Sequence, residues 1–304
     1  RPTKTALAIV HFHTLEEAME AVPRLLEVEP SAIELIDRYM IGLTREAPQY
    51  ARHLTWIDGD PACVLIVEFY GESEAELDAK LQRLAAHRAR IGAGYQVVLA
   101  RTAEEIGNVW YVRKAGLGLL MSTTSEWKPI PFIEDGSVPP EKLLEFVREV
   151  GHILEAHDVR AAIYAHASAG CLHIRPMLNL KLGEDIEKMR SITDAWGDVI
   201  VRLRGSFSGE HGDGRARSEW TEKLFGPTLY RAFCEPKDGW DPEGLLNPGM
   251  IVRGQRMTEN LRYGTEYRTE GLPYTLLSFE RTGDFTRAVE MCSGVGVCRK
   301  TEDG

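Results

Sequence analysis

The feature that most limits how this chain can fold is residues 63–70, CVLIVEFY, where apolar and aromatic side chains follow one another almost without a break. The run is too short for a core helix and rich in strand-forming side chains, so it reads as a strand covered on both faces. Such a strand needs partners beside it. Residues 6–12 (ALAIVHF), 32–36 (AIELI) and 95–100 (YQVVLA) supply three. A helix from Thr14 to about residue 26 lies between the first two of these, and Thr14 with Glu17 makes a capping box at its start. A second helix over 73–87 separates the last two strands, with Glu74, Glu76 and Asp78 complementing its dipole. Two such units predict an α+β fold of ferredoxin-like split βαβ units, an antiparallel sheet covered by helices. The fold hosts many functions and does not choose among them.

Further on, a helix is expected from Thr102 past Trp110 and Arg113, ending at Gly116 and Gly118. Residues 128–133 (KPIPFI) are extended, because Pro129 and Pro131 exclude helix. Pro139 and Pro140 open a helix to about residue 157, and 159–166 is a strand that returns as a second strand over 172–176. A helix over 183–201 and short helices over 218–225 and 228–233 follow, and 255–285, with little periodicity, reads as an extended linker.

The chain carries a net charge of −10 and has no basic stripe, which excludes a nucleic-acid binder of the usual kind. No apolar run approaches the roughly 20 residues that span a bilayer, and no signal-peptide pattern opens the chain. Five cysteines, an odd number without a regular framework, fit a reducing compartment. The expectation is a cytoplasmic protein, or one peripheral at the inner membrane. The start at Arg1 and the stop just after a cysteine-bearing run read as a piece of a longer chain.

The chemistry concentrates in two stretches. Residues 208–214, SGEHGDG, set Glu210 and His211 between glycines, and His166 and His173 flank the small-residue turn of 164–175, YAHASAGCLHIR. Two histidines and a glutamate suffice for a divalent ion with a position left open for catalysis. Adjacent residues diverge, so His211 is expected beside the ion rather than on it, as a general base whose ordinary pKa suits proton transfer at neutral pH. Arg113 and Lys128 are candidates to hold an anionic substrate, and equally read as solvated charges. By themselves these residues leave open a metal-dependent hydrolase and a non-catalytic interaction module.

Taken in order, WYVR (110–113), HASAGCLH (166–173), SGEHGDG (208–214) and DPEGLLNPG (241–249) resemble the C-terminal substrate domain of FAD-linked oxidases, the family of D-lactate, glycolate and D-2-hydroxyglutarate dehydrogenases. The resemblance covers about residues 1–253. It implies a cap domain over the ring of an FAD held mainly by an upstream flavin-binding domain, so that this chain alone binds FAD poorly. It further implies that His166, His173 and Glu210 hold a Zn²⁺-like ion that takes the carboxylate and hydroxyl of a small 2-hydroxy acid. His211 would be the base, Arg113 and Lys128 would orient carboxylates, and Asn247 would lie near the flavin. The spacing of Arg113 and Lys128 favours a dicarboxylate such as D-2-hydroxyglutarate over D-lactate. The commoner family loop reads His-x-Gly-Asp-Gly-Asn-x-His, and here Ser168, Ala169 and Cys171 stand in the first Gly, Asp and Asn places. Met250 replaces the usual lysine after Asn-Pro-Gly. The run with Cys292 and Cys298 resembles the entry to an iron-sulfur domain, incomplete here. On that reading 254–290 is a linker, 291–304 the start of the next domain, and electrons leave the flavin through a 4Fe-4S centre.

Overall fold

The computed structural model describes residues 2–271, 274–292 and 296. Strands β1 (Lys4–Phe12), β2 (Ala32–Asp37), β3 (Cys63–Gly71) and β4 (Gln96–Ala100) lie in the order β4-β1-β3-β2, each antiparallel to its neighbours. Helix α1 (Leu15–Leu25) joins β1 to β2, and α4 (Glu74–Ile91) joins β3 to β4. The two split βαβ units are therefore present as expected. The capping box forms too: Glu17 N–H donates to Thr14 Oγ1 at 3.1 Å, and Thr14 N–H donates to the Glu17 carboxylate at 3.2 Å.

Between β2 and β3 come α2 (Arg38–Glu46), capped by Asp37, and the single turn α3 (Pro48–Ala51). After β4, α5 (Ala103–Met121) runs straight through Gly116 and Gly118, where a helix end was expected. A Cβ at Gly116 would collide with Met40 Cε, so this glycine lets α5 approach α2 closely rather than ending it.

The sheet grows beyond β2 by a hairpin, β7 (Ala161–His166) and β8 (Cys171–Leu178), with β7 antiparallel to β2. Short strands β5 (Lys128–Pro129) and β6 (Gly136–Ser137) both pair with β8. On one face, α1, α4, α6 (Leu143–Ala156) and α7 (Gly183–Arg202) bury Phe12, Leu35, Phe146, Ile174 and Trp196. On the other, α2 and α5 cover Ile36, Ile66, Val109, Val112 and Tyr164.

Past the glycine loop come the single turn α8 (Gly214–Arg217) and α9 (Thr221–Trp240). The two helices expected near 218 and 228 are present, separated at Gly226, whose φ of 75° and ψ of 165° are not helical, and the second reaches Trp240 rather than ending near 233. The described residues of 255–285, expected as an extended linker, are mostly irregular and mostly exposed. Met257 is buried, and Glu290, the last residue of α10 (Phe285–Glu290), meets Lys181 at 2.8 Å. Among the described residues no helix is long and apolar enough to cross a membrane.

Candidate functional site

Strand periodicity builds the site. Successive side chains alternate between faces, so β8 sends Leu172 and Ile174 into the apolar layer and presents Cys171, His173 and Arg175 on the opposite face. Pairing across the sheet sets His173 beside Tyr164, and His166 beside Glu34 of β2. The loop 208–214 arrives over this patch.

Asp135, fully buried at φ 70°, shapes that loop. Its carboxylate accepts from Glu210 N–H at 3.0 Å, His211 N–H at 2.8 Å and the Ser208 hydroxyl at 2.5 Å, and Cys171 Sγ lies 3.3 Å away. Burial works against its charge, yet these hydrogen bonds hold its pKa below the usual value. Gly209 packs so closely that a Cβ would collide with Ser137 Oγ.

The curl brings Glu210 and His211 back to one point instead of letting them diverge. Glu210 Oε1 lies 3.2 Å from His166 Nε2, 3.3 Å from His173 Nε2 and 3.2 Å from His211 Nε2. Two ligands roughly 2.0–2.1 Å from a common tetrahedral ion stand about 3.3–3.4 Å apart, so the donor spacing fits a divalent ion such as zinc. Asp135, His173, Glu210 and His211 also offer atoms within 4.8 Å of one another. Asp135 has its oxygens engaged by the loop it holds, and His166 stands beside this group with its Nε2 3.2 Å from Glu210 Oε1.

His166 Nδ1 lies 2.7 Å from Glu34 Oε1, and His211 Nδ1 lies 3.0 Å from Glu134 Oε1. Each glutamate is ion-paired in turn, Glu34 with Arg113 at 2.8 Å and Glu134 with Arg175. The hydrogen bond to Glu34 is the main reason the His166 pKa is raised. His173 behaves differently. It is buried, stacked between Tyr164 and His211 at ring separations of 4.7 and 5.1 Å, and its Nδ1 has no hydrogen-bond partner among the described residues. Burial first, then the charges of His166, His211 and Arg113, push its pKa down to about 3, so it stays neutral and able to donate a lone pair.

His166, His173, Glu210 and His211 are thus brought together, and Arg113 reaches them through Glu34. Lys128 is not brought in. It pairs with Leu178, five positions along β8 from His173, which at 3.3–3.4 Å per residue is on the order of 17 Å. Its ammonium donates to Thr123 O at 2.7 Å. Asn247 sits at φ 46° in an exposed turn held by Asp241, which accepts from Leu245 N–H at 2.8 Å. Cys292 is exposed just past α10, and Cys298 lies outside the described residues.

Sequence reading missed Glu34, Glu134, Asp135 and Arg175. A lone acid inside AIELI, an Glu-Asp pair before Gly136, and an arginine alternating with His173 were the available signals.

Comparison with known proteins bears on this geometry. A D-2-hydroxyglutarate dehydrogenase of Pseudomonas putida is 30% identical over 307 residues, covering 98% of this chain and 30% of that protein. A D-lactate dehydrogenase of Archaeoglobus fulgidus is 27% identical over 82% of this chain and 52% of its own length. The chain spans 30% and 25% of the length of the Pseudomonas putida and Haemophilus influenzae D-2-hydroxyglutarate dehydrogenases that it matches. The fold is similar to that of 4-ethylphenol oxidase from Gulosibacter chungangensis, with a TM-score of 0.58 at 12% identity over 84% of this chain and 55% of that one. Residues 1–251 match the family described as FAD linked oxidases, C-terminal domain. On that match, which takes in every strand and the whole histidine cluster, the chain belongs to the FAD linked oxidase C-terminal domain family.

Proposed function

We propose that this chain is the substrate-side portion of an FAD-dependent D-2-hydroxy-acid dehydrogenase, with residues 1–253 as the cap domain. The observation that carries the reading is the meeting of three imidazole Nε2 atoms at one carboxylate oxygen, 3.2–3.3 Å from each. Family membership argues against the hydrolase alternative, and the identity of the relatives supports D-2-hydroxyglutarate or D-lactate as substrate class.

His166, His173 and Glu210 would hold the divalent ion, which lowers the pKa of a hydroxyl bound to it. When bound, FAD supplies the two-electron acceptor for the carbon that bears the hydroxyl. The cluster has an open side for both, because the side chains of Glu210 and His211 are 46% and 43% exposed. The hydroxyl proton passes to His211 Nε2, while Glu134 at Nδ1 holds the ring. Arg113 gives Nε and Nη2 to Glu34 and keeps Nη1, which makes no hydrogen bond among the described residues, for a substrate carboxylate. Asn247 lies on the flavin side, and Cys292 and Cys298 lead towards a 4Fe-4S electron acceptor.

The test is His211→Ala in the full-length protein, with flavin reduction followed under single-turnover conditions for each 2-hydroxy acid that the parent oxidises. A loss of about 10²–10⁴-fold is expected for a general base. An unchanged rate with all of them rejects the assignment.

A further inference from the structure

We propose that Glu34 and Glu134 are positioning residues that fix the tautomers of His166 and His211, so that each Nε2 is left bare, that of His166 for an ion shared with Glu210 and that of His211 to take a proton. The inference rests on the metal reading above and deepens it. Its basis is a repeated arrangement. From β2 and α5 come Glu34 and Arg113; from the segment before β6 and from β8 come Glu134 and Arg175. These unrelated parts of the chain build the same order twice, arginine to glutamate to histidine to Glu210.

On the first side Arg113 Nε and Nη2 lie 3.1 and 2.8 Å from Glu34 Oε2, which leaves Oε1 for His166 Nδ1 at 2.7 Å. On the second, Arg175 Nη2 pairs with Glu134 Oε2 and leaves Oε1 for His211 Nδ1 at 3.0 Å. A guanidinium on one oxygen keeps the carboxylate ionised, and an ionised carboxylate only accepts. Nδ1 must then carry the hydrogen, and in a neutral ring the other nitrogen is left bare. The glutamate side chains are 12% and 8% exposed, a costly place for two ion pairs if packing were their whole purpose. His173 is the internal contrast, since its Nδ1 has no partner among the described residues and its ring lies between those of Tyr164 and His211.

Glutamine separates positioning from packing. In Glu34→Gln or Glu134→Gln, the arginine retains the amide oxygen and the amide NH₂ turns to Nδ1. The ring must then accept at Nδ1 and carry its hydrogen on Nε2. Two readouts are taken on the full chain labelled with ¹⁵N at histidine: long-range ¹H–¹⁵N spectra without metal, and zinc affinity by competition with a chelator. The spectra are taken at alkaline pH, where the rings are neutral, and in the parent His166 and His211 are expected there as Nδ1–H tautomers. Glu34→Gln should convert His166 alone and weaken zinc about 10–100-fold, while Glu134→Gln should convert His211 alone and leave zinc affinity near the parent's, because His211 is the base and not a ligand. Glu68→Gln, a buried acid elsewhere on the sheet, should change neither. Nε2–H tautomers in the parent, which need no variant to observe, overturn the proposal. So do glutamine variants that keep the parental tautomers and bind zinc within about threefold of the parent. A parent with the expected tautomers, converted by the variants, but with no zinc affinity would uphold the positioning role while rejecting the metal reading.

Discussion

The two faces of β8 are made from one short stretch of sequence and do opposite work. Leu172 and Ile174 enter a layer with Phe146 and Trp196, where every neighbour is apolar and burial stabilises the fold. His173 and Arg175, on the other face, are just as buried, at 2% and 6% exposure, but meet histidines and carboxylates. Ionisable groups taken out of water lower stability unless they are fully paired, and the paired state is often no better than an apolar one. The contrast sets a side of this hairpin that holds the domain together against a side where ionisable groups are gathered.

The largest effect should come from the apolar face. Trp196→Ala removes a fully buried side chain stacked on Phe207 at 5.1 Å. It should cost about 3–5 kcal/mol by denaturant unfolding while the remaining folded protein keeps its zinc stoichiometry. Loss of zinc without loss of stability would break the separation of the two faces. Asp135→Ala should come next, at roughly 2–4 kcal/mol, because it leaves the amides of Glu210 and His211 without their acceptor. Here zinc binding should fall as well, since the loop loses the curl that directs both side chains inward. His173→Phe tests the chemical face most sharply. Thermal unfolding should shift little, or upward, because a ring of similar shape replaces a buried polar group, yet zinc affinity should collapse. A strongly destabilised variant would show that His173 serves packing.

The smallest effect is a pair of opposed pH slopes in the metal-free protein. Burial raises the pKa of Asp37 to about 6, above its ordinary 3.8, so its contribution is fully present below about 3.8 and lost as pH rises through 6. His173 is depressed from 6.5 to about 3, so its contribution is present above 6.5 and lost as pH falls towards 3. Unfolding measured from pH 3.5 to 7 should therefore flatten its fall with rising pH in Asp37→Leu and flatten its fall with acid in His173→Phe. The reverse assignment of slopes would refute both.

Much of the fold was legible in the chain. The apolar run at 63–70, the cap at Thr14, and the strands expected over 159–166 and 172–176 are local properties, and the strands and helices they imply are present with small shifts of their ends. Gly116 shows the limit of such reading. Its lack of a side chain is visible in sequence, but whether it ends a helix or admits Met40 depends on a neighbour 76 positions away. Lys128 shows the same limit for the site. Its spacing from Arg113 is compatible with a shared substrate, and only the register of β5 on β8 carries it to the far end of the hairpin.

The amino-acid sequence by itself determined the split βαβ sheet, the family, and the histidines and glutamate that meet, because residue type, periodicity and ordered motifs are carried along the chain. The tertiary structure alone decided that His211 turns back towards Glu210, and that each of two histidines has a glutamate and an arginine behind it. Those contacts join β2 to α5, and the segment before β6 to β8 and the glycine loop, and a hydrogen bond across 132 or 77 positions leaves no local pattern from which to read it.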